Sequence, residues 1–346
     1  MTHRGCSLVA GLVIGLTMSI ARSGQAADKI RILSPTWSGY APIFVAGDLG
    51  YFKQLGLDVD LKFEDERANA MAAMARGDIE MDLLTAGEFQ GRPRDENTPG
   101  VIIATIDQSV GGDGVIAAGD IKTVADLKGK TLAAEPNIPG RLLLQLELKK
   151  AGLSLKDIVL KDIATADTVA IFADPSIAAV ATFQPFLSQA LKLDAARKPT
   201  VLISSANYPG YIVDVVIVRQ DDLKANPDKY RRFMIGMFKA IEYFKTDKAD
   251  FIKLAAPHYT LSPEDFAASI DGSLTYTGYA ETAAAIGKPG APGSLYGTFD
   301  ILMSLNLENG AADNRLSAER EIDSSVMAKI SPGDMKAGDM KAGDLK

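Results

Sequence analysis

Acidic, aromatic and hydroxyl side chains recur in this sequence at points where apolar segments end in turns. A first group surrounds the chain's one tryptophan, directly after the apolar segment KIRIL. Later groups place carboxylates beside glycine, serine or glutamine after further β-branched segments. The candidate binding residues are Trp37, Ser38, Tyr40, Glu88, Ser109, Asp113, Glu135, Asn137, Phe183, Gln184 and Asp214.

These residue types suit the capture of a small polar molecule. An indole offers a flat face for stacking, and carboxylates accept paired N–H donors from a planar or cationic group. The loop position of Trp37 favours a partly exposed ring that contacts ligand, with a packing role as the alternative. Asp214 interrupts the apolar run YIVDVVIV, where a carboxylate is costly to bury without a partner. For Glu88, Asp113 and Asp214 the alternative is a solvated carboxylate or a hinge cap.

Other chemistries lack the residues that they need. The sequence has one cysteine, Cys6, and two histidines, His3 and His258. Cys6 and His3 lie in a segment that we expect to be removed on export, and no His or carboxylate spacing is typical of a metal site. The sequence therefore predicts no metal, no cofactor and no catalysis.

Composition and charge exclude two classes of partner. The chain has 346 residues, 47% hydrophobic and 23% charged, which is enough for the cores of two α/β domains. The formal net charge is −7 and no block of lysine and arginine occurs. This pattern argues against nucleic acid and anionic membrane surfaces as partners.

Residues 1–26 have the features of a secretory signal peptide. Arg4 supplies positive charge, residues 7–20 form an apolar run, and small residues end at Ala26. The run is shorter than the roughly 20 residues that cross a bilayer, so a retained anchor is only the alternative. The sequence predicts a periplasmic protein. At the other end, the charged, glycine-containing repeat in 331–346 predicts a disordered tail.

Alternating strand and helix patterns predict an α/β fold with two lobes. A strand at KIRIL precedes a helical pattern from Ala41 to Gly56, a strand at DVDLKFE and an Ala- and Met-rich helix that ends at Gly77. A similar series fills the middle of the chain, and the part after Asn226 is largely helical.

Since that last part has no sheet of its own, the economical solution is a discontinuous lobe 1 at 27–114 plus 215–330 and a lobe 2 at 115–214. Two crossing strands would then form a hinge beside a cleft. Ligands gather beyond the carboxyl ends of strands in open α/β sheets, and this rule selects the loops that carry the candidate residues.

The order of the motifs resembles that of the nitrate/sulfonate/taurine-type substrate-binding proteins of bacterial ABC importers, and is similar to thiamine-precursor-binding proteins. The segments are APIFVAGDLGYFKQLGLDVDL, ANAMAAMARGDIEMDLL, DQSVGGDGVIA, IKTVADLKGKTLA and IAAVATFQPFLSQAL. The resemblance covers almost the whole mature chain. It implies a type II periplasmic-binding-protein fold, ligand capture between closing lobes, and a permease with its ATPase as partners. We expect a monomer.

One departure from the family pattern bears on the ligand. Family members that take sulfonates or nitrate commonly have small hydroxyl residues at the start of the first helix of the middle lobe, where backbone amides suit an anion. This chain has AEPNIPGR there, so two prolines remove amide donors and Glu135 would repel an anion.

The first crossing also resembles family branches that serve urea or guanidine metabolism, through Ser109, Gly111 and Asp113. The sequence therefore favours a small nitrogen compound of guanidinium, urea or amine type, with sulfonate, taurine or nitrate as the alternative.

Two further classes stay open at this point. Pyrimidine synthases of thiamine biosynthesis resemble the same superfamily, but they use an active-site histidine and a cysteine-rich iron-binding segment. Here His258 lies in a helical region and the mature chain has no cysteine, which leaves an enzyme as the distant alternative. A ligand sensor that docks on a receptor is not separated from transport by the sequence.

Overall fold

The computed structural model describes residues 1–2, 27–193 and 197–336. The predicted signal peptide therefore lies almost wholly outside the described residues. Within these ranges, every helix is too short or too polar to cross a membrane.

Strands are concentrated in the first two thirds of the chain. They are β1 Asp28–Ser34, β2 Leu57–Phe63, β3 Met81–Thr85, β4 Val101–Ser109, β5 Asp113–Ala117, β6 Thr131–Ala134, β7 Val159–Asp162, β8 Ile177–Phe183, β9 Thr200–Ser204, β10 Val213–Val218, β11 Leu274–Tyr276, β12 Gly287–Lys288 and β13 Ala291–Pro292.

Helices connect the strands and make up most of the chain after residue 220. They are α1 Ala41–Asp48, α2 Tyr51–Gln54, α3 Arg67–Arg76, α4 Ala86–Phe89, α5 Pro139–Lys150, α6 Thr168–Phe172, α7 Phe186–Leu191, α8 Gln220–Ala225, α9 Pro227–Thr246, α10 Lys248–Ala255, α11 Pro263–Ile270, α12 Tyr279–Ile286, α13 Ser294–Glu308, α14 Ala318–Glu321 and α15 Pro332–Lys336.

Two large sheets organise the molecule. The first has the strand order β11-β4-β10-β3-β1-β2 and the second has the order β7-β6-β8-β5-β9. β1 pairs in parallel with β2 and β3, and β6 pairs in parallel with β7 and β8. β10 and β5 run antiparallel to both of their neighbours. The α/β prediction with a two-sheet architecture is confirmed.

The antiparallel strands mark where the chain passes between the sheets. β4 of the first sheet is followed after three residues, 110–112, by β5 of the second. The chain returns to the first sheet between β9 and β10. β5 and β10 are therefore the strands that enter a sheet from the other sheet, and both run antiparallel to their neighbours. The lobe boundaries at 114 and 214 stay predictions.

Local signals set most helix ends. α3 ends at Gly77, which has the left-handed φ of 80° that favours glycine. The predicted single helix from Ala41 to Gly56 is wrong, because Gly50 adopts φ 73° and separates α1 from α2. The predicted disordered tail is also shortened at its start. Residues 332–336 form α15, and Met335 packs against the core, while residues 337–346 lie outside the described residues.

Candidate functional site

A cavity lies where the ends of the two sheets meet the chain crossings. It is small in this structure, with about 10 Å³ of space for a water-sized molecule, which is room for about one water. Its lining residues are Pro35, Trp37, Tyr40, Arg67, Thr85, Glu88, Asp113, Pro139, Phe183 and Asp214. The structure thus brings together the predicted candidates Trp37, Tyr40, Glu88, Asp113, Phe183 and Asp214.

The fold explains why residues so distant in sequence converge. Trp37 follows β1, Arg67 follows β2, and Thr85 ends β3, so all three lie beyond carboxyl ends of parallel strands in the first sheet. Asp113 and Asp214 lie at or near the starts of the antiparallel strands β5 and β10, which brings them to the same edges. The rule that ligands gather beyond the carboxyl ends of strands, which we call the strand-end rule, thus accounts for most of the lining.

Two aspartates, Asp107 and Asp214, form what we call the hinge pair. They lie opposite each other in the register of β4 and β10. Trp37 Nε1 donates to Asp107 Oδ2 at 3.1 Å, and Tyr40 Oη donates to Asp214 Oδ1 at 2.6 Å. The other oxygens, Asp107 Oδ1 and Asp214 Oδ2, are buried and have no donor from any other residue in the described ranges. The two side chains hydrogen-bond to each other when Asp214 is protonated, so the pair lacks only a donor from outside itself.

Burial governs the protonation of these carboxyls. It raises the pKa of Asp107 to about 7, partly offset by the Trp37 hydrogen bond. Burial and the charge of Asp107 raise the pKa of Asp214 well above its ordinary value. Burial likewise raises the pKa of Asp113 well above its ordinary value, against the opposing effect of Ser109. The cavity therefore concentrates carboxyl groups whose ionisation is costly in the absence of a cation.

A second carboxyl set surrounds Arg67, and we call Glu88 and Glu135 the arginine-bound pair. Arg67 Nη2 and Nε donate to Glu88 Oε1 at 2.9 and 3.2 Å, and Nη1 lies 3.6 Å from Glu135 Oε2. The guanidinium carbon lies 5.8 Å from the centroid of the Phe183 ring. Burial alone would lower the pKa of Arg67, but the two glutamates outweigh it and raise the pKa above the ordinary value.

The arginine-bound pair is anchored by further hydrogen bonds. Glu88 Oε2 accepts from the amide and hydroxyl of Thr85 at 3.0 and 2.9 Å, in a capping box at the start of α4. Glu135 Oε2 accepts from Thr165 Oγ1 at 2.6 Å. Since Glu88 follows β3 and Glu135 follows β6, Arg67 joins residues carried by both sheets.

Trp37 is more enclosed than its loop position predicts. Trp37 is 4% exposed, so the expectation of a partly exposed ring is wrong. The indole meets Phe183 edge to face, with ring centroids 6.1 Å apart. A Cβ on Gly112 would lie 2.4 Å from Trp37 Cη2, so the crossing segment needs glycine there to admit the ring. Trp37 both lines the cavity and packs against the first chain crossing.

The remaining sequence candidates have other partners. Ser38 accepts from Ser269 Oγ, Ser109 pairs with Ser205, Gln184 donates to Ser273, Glu135 lies beside Arg67, and Asn137 lines a separate surface groove. Their role as ligand contacts stays a prediction.

Sequence reasoning did not select Arg67 or Ser205. Ser205 ties the two crossings together, because its Oγ accepts from the Gly111 and Asp113 amides at 2.8 and 3.3 Å. Arg67 could have been found by the strand-end rule, since it closes the acidic loop that follows β2. Ser205 carries no comparable signal, since its role depends on the distant first crossing.

Carboxyl groups outnumber cationic side chains around the cavity. Arg67 is the one cationic side chain among the residues that line it in the described part of the chain. Five carboxyl groups line it or directly support its walls, those of Asp107, Asp113, Asp214, Glu88 and Glu135. The first turn of α5 presents Pro139, which has no N–H. The surroundings of the cavity are therefore acidic, and this helix start offers one amide donor fewer.

Comparison with known proteins assigns a family to the chain. Residues 37–249 match the family described as NMT1/THI5 like, and the protein belongs to that family. A relative from Brucella abortus strain 2308, named as a binding protein, is 24% identical over 240 residues, which cover 69% of this chain and 73% of the relative.

Solved structures share the fold at low sequence identity. The alkanesulfonate-binding protein SsuA from Xanthomonas axonopodis pv. citri, bound to MOPS, aligns with a TM-score of 0.71 at 17% identity, over 87% of this chain and all of that chain. The periplasmic nitrate-binding protein NrtA from Synechocystis PCC 6803 gives 0.67 at 12% identity, over 92% and 91%. The periplasmic-binding-protein fold is therefore confirmed.

An enzyme also has this fold. The desulfurization enzyme DszB aligns with a TM-score of 0.62 at 11% identity, over 87% of this chain and 98% of that chain. The fold alone therefore does not distinguish binding from catalysis.

Proposed function

We propose that this protein is the extracytoplasmic binding component of an ABC importer and that it delivers a small nitrogen compound of guanidinium or amine type. The hinge pair carries the ligand proposal. Asp107 and Asp214 are buried side by side, Asp214 lines the cavity, and each carboxyl group has an oxygen without a donor from outside the pair in the described ranges. A ligand that donates N–H bonds and carries positive charge satisfies both oxygens and offsets the cost of burying them.

Transport as the role is supported by family and fold together. The family match, the two-sheet architecture and the names of the related SsuA and NrtA proteins favour capture between lobes. In this proposal residues 1–26 direct export to the periplasm, and a permease with its ATPase receives the loaded monomer. The protein acts without catalysis, and within the described ranges no cluster of His, Cys, Asp and Glu could hold a metal ion.

Cavity size supports a small ligand. In this structure the cavity has about 10 Å³ of space for a water-sized molecule, which is room for about one water, so a ligand has to enter a more open form. Urea is uncharged and would leave ionised carboxyl groups uncompensated, so guanidinium and small amines are favoured over it. Taurine, alkanesulfonates and nitrate are the second candidates, supported by the likeness to SsuA and NrtA and opposed by the acidic lining.

Calorimetry tests the ligand class directly. Purified protein is titrated with guanidinium chloride at millimolar concentration, urea, methylamine, taurine and sodium nitrate. We expect heat from guanidinium or methylamine and none from the anions. Tight taurine or nitrate binding without a response to the cations would refute the cation proposal and leave the importer proposal in place.

Scattering and genetics test the transport role. Binding by lobe closure predicts a smaller radius of gyration when the binding cation is added to an open form. Deletion of the gene should abolish uptake of that compound. Loss of a signalling response with uptake intact would instead indicate a sensor.

A further inference from the structure

Arg67 already makes, within the protein, the contacts that the proposed ligand would make. Its guanidinium bonds Glu88, lies close to Glu135, and faces the Phe183 ring. Its Nη1 also donates to the backbone oxygen of Asp65 at 2.9 Å, which holds the group at the start of its own helix. A tethered cation thus fills one of the two carboxyl sets of the cavity.

The hinge pair has no such internal cation. Trp37 and Tyr40 supply neutral donors to Asp107 and Asp214, and no lysine or arginine pairs with either carboxyl in the described ranges. The two sets border one cavity, because Arg67, Glu88 and Asp214 all line it. The cavity is therefore divided into a part that the chain fills with positive charge and a part that it leaves open.

We propose that Arg67 is a specificity-determining residue, which occupies the arginine-bound pair so that the site accepts ligands with one cationic group and rejects those with two. This inference rests on the proposed function, since it concerns the same cavity. A monocation neutralises the hinge pair and leaves Arg67 in place. A second ammonium group would have to displace Arg67, which breaks its ion pairs with Glu88 and Glu135, or lie beside its guanidinium, which brings like charges together. Both cost binding energy.

Removal of Arg67 should convert the specificity of the site. Arg67→Ala leaves Glu88 and Glu135 without their cation and opens space beside them, so a diamine can bridge the two carboxyl sets. The matched probes are propylamine and 1,3-diaminopropane, which have the same carbon chain and differ by one ammonium group. Calorimetry gives the ratio of the diamine affinity to the monoamine affinity for each variant.

We expect the wild-type ratio to be close to one or lower and the ratio in Arg67→Ala to rise by about tenfold or more. Arg76→Ala is the matched control, because Arg76 lies in the same helix, is exposed, and pairs only with Asp78 at the surface. Its ratio should equal that of the wild type. In the double variant Arg67→Ala/Glu135→Gln the increase in the ratio of diamine to monoamine affinity should be smaller, since one of the two carboxylates that Arg67 leaves without a cation is gone.

An unchanged ratio in a folded Arg67→Ala protein would overturn the inference, as would a wild-type protein that already prefers the diamine. Should Arg67→Ala not fold, Arg67→Gln removes the charge, keeps much of the side chain and carries the same expectation. If the wild-type protein binds neither amine nor guanidinium but binds taurine, the cation proposal fails first, and the inference fails with it. The two failures are distinguishable, because titrations of the wild-type protein alone test the cation proposal, whereas the role of Arg67 is tested by comparing the wild type with the variants.

Discussion

Two regions of this molecule bury carboxyl groups, and they neutralise them differently. In the first, Glu321 accepts from Arg94 Nη2 at 2.5 Å, and the same nitrogen donates to the Gly100 oxygen at 2.8 Å. The Arg94 guanidinium also lies 3.6 Å from the centroid of Phe89. In the second, two buried oxygens of the hinge pair have no donor from outside the pair in the described ranges.

The difference supports the proposal that the first region is structural and the second binds a ligand. In the first region the two charges are paired within the chain, although Arg94 Nε has no acceptor among the described residues. A buried carboxylate without a cation lowers stability unless something from outside supplies the donor. The lack of a paired cation among the described residues, and not the aromatic lining, therefore supports the ligand proposal, since rings line both regions.

The largest expected effect is on stability, in the structural cluster. Glu321→Gln leaves the Arg94 cation buried without an anion, which should lower the free energy of unfolding by about 3–5 kcal/mol in a denaturant titration. Ligand binding should be unchanged. Glu96→Gln is the control, because its pair with Arg320 is exposed and should contribute less than about 1 kcal/mol. Equal losses of unfolding free energy in Glu321→Gln and Glu96→Gln would show that the buried pair contributes no more than the exposed pair, which would contradict a structural role for the Arg94–Glu321 pair.

Asp214→Asn should have the opposite effect to Glu321→Gln, because it should weaken ligand binding without lowering stability. The amide keeps an acceptor for Tyr40 Oη but cannot ionise when the cation binds, so guanidinium affinity should fall about thirtyfold or more in calorimetry. The free energy of unfolding should stay the same or increase, because the amide never has to bury a charge. A variant that is destabilised yet binds guanidinium normally would place Asp214 with the structural cluster.

The pH dependence of stability and of ligand binding distinguishes Asp107 of the hinge pair from Asp82. Burial raises the pKa of Asp107 to about 7, and burial raises that of Asp82 to about 7, where Asp82 Oδ1 accepts only from the Leu83 amide. Because both folded pKa values exceed the unfolded value, the native state holds these protons more tightly. The resulting stabilisation is present below about pH 4 and is lost as pH rises through about 7.

Asp107→Asn and Asp82→Asn should therefore each gain stability relative to the wild type between pH 5 and pH 8, on the order of 1–3 kcal/mol by denaturant titration. Binding separates the two variants. Guanidinium affinity should rise with pH through this range in the wild type and in Asp82→Asn, because ionisation of Asp107 creates the attraction. If that rise persists in Asp107→Asn, another group controls binding.

The smallest expected effect is at Trp37. Trp37→Phe retains a ring against Phe183 but removes the N–H that Asp107 accepts, so guanidinium affinity should change by about five- to tenfold. Trp37→Ala is a poorer probe, because truncating a large buried side chain costs about 3–5 kcal/mol of stability by itself. A Trp37→Phe protein with wild-type affinity in calorimetry would show that the indole N–H does not tune the hinge pair.

Much of the fold could be read from the sequence. Strand β6 at 131–134, the end of α5 at Lys150 and the stop of α3 at Gly77 follow local signals, namely periodicity and glycine conformation. The split between α1 and α2 was missed, because the helical apolar spacing continues past Gly50 and outweighed that glycine in the prediction.

For the candidate site, too, the sequence determined one part and the tertiary structure decided the other. The sequence determined by itself that acidic and aromatic residues end the central strands, because strand direction brings those ends to one edge. Only the tertiary structure decided which carboxylates receive a cation from the chain. Arg67 meets Glu88 and Glu135 across 21 and 68 residues, while Asp107 meets Asp214 through strand pairing across 107 residues. Hydrogen-bond partners at such separations are set by how the sheets pack, and no local pattern encodes them.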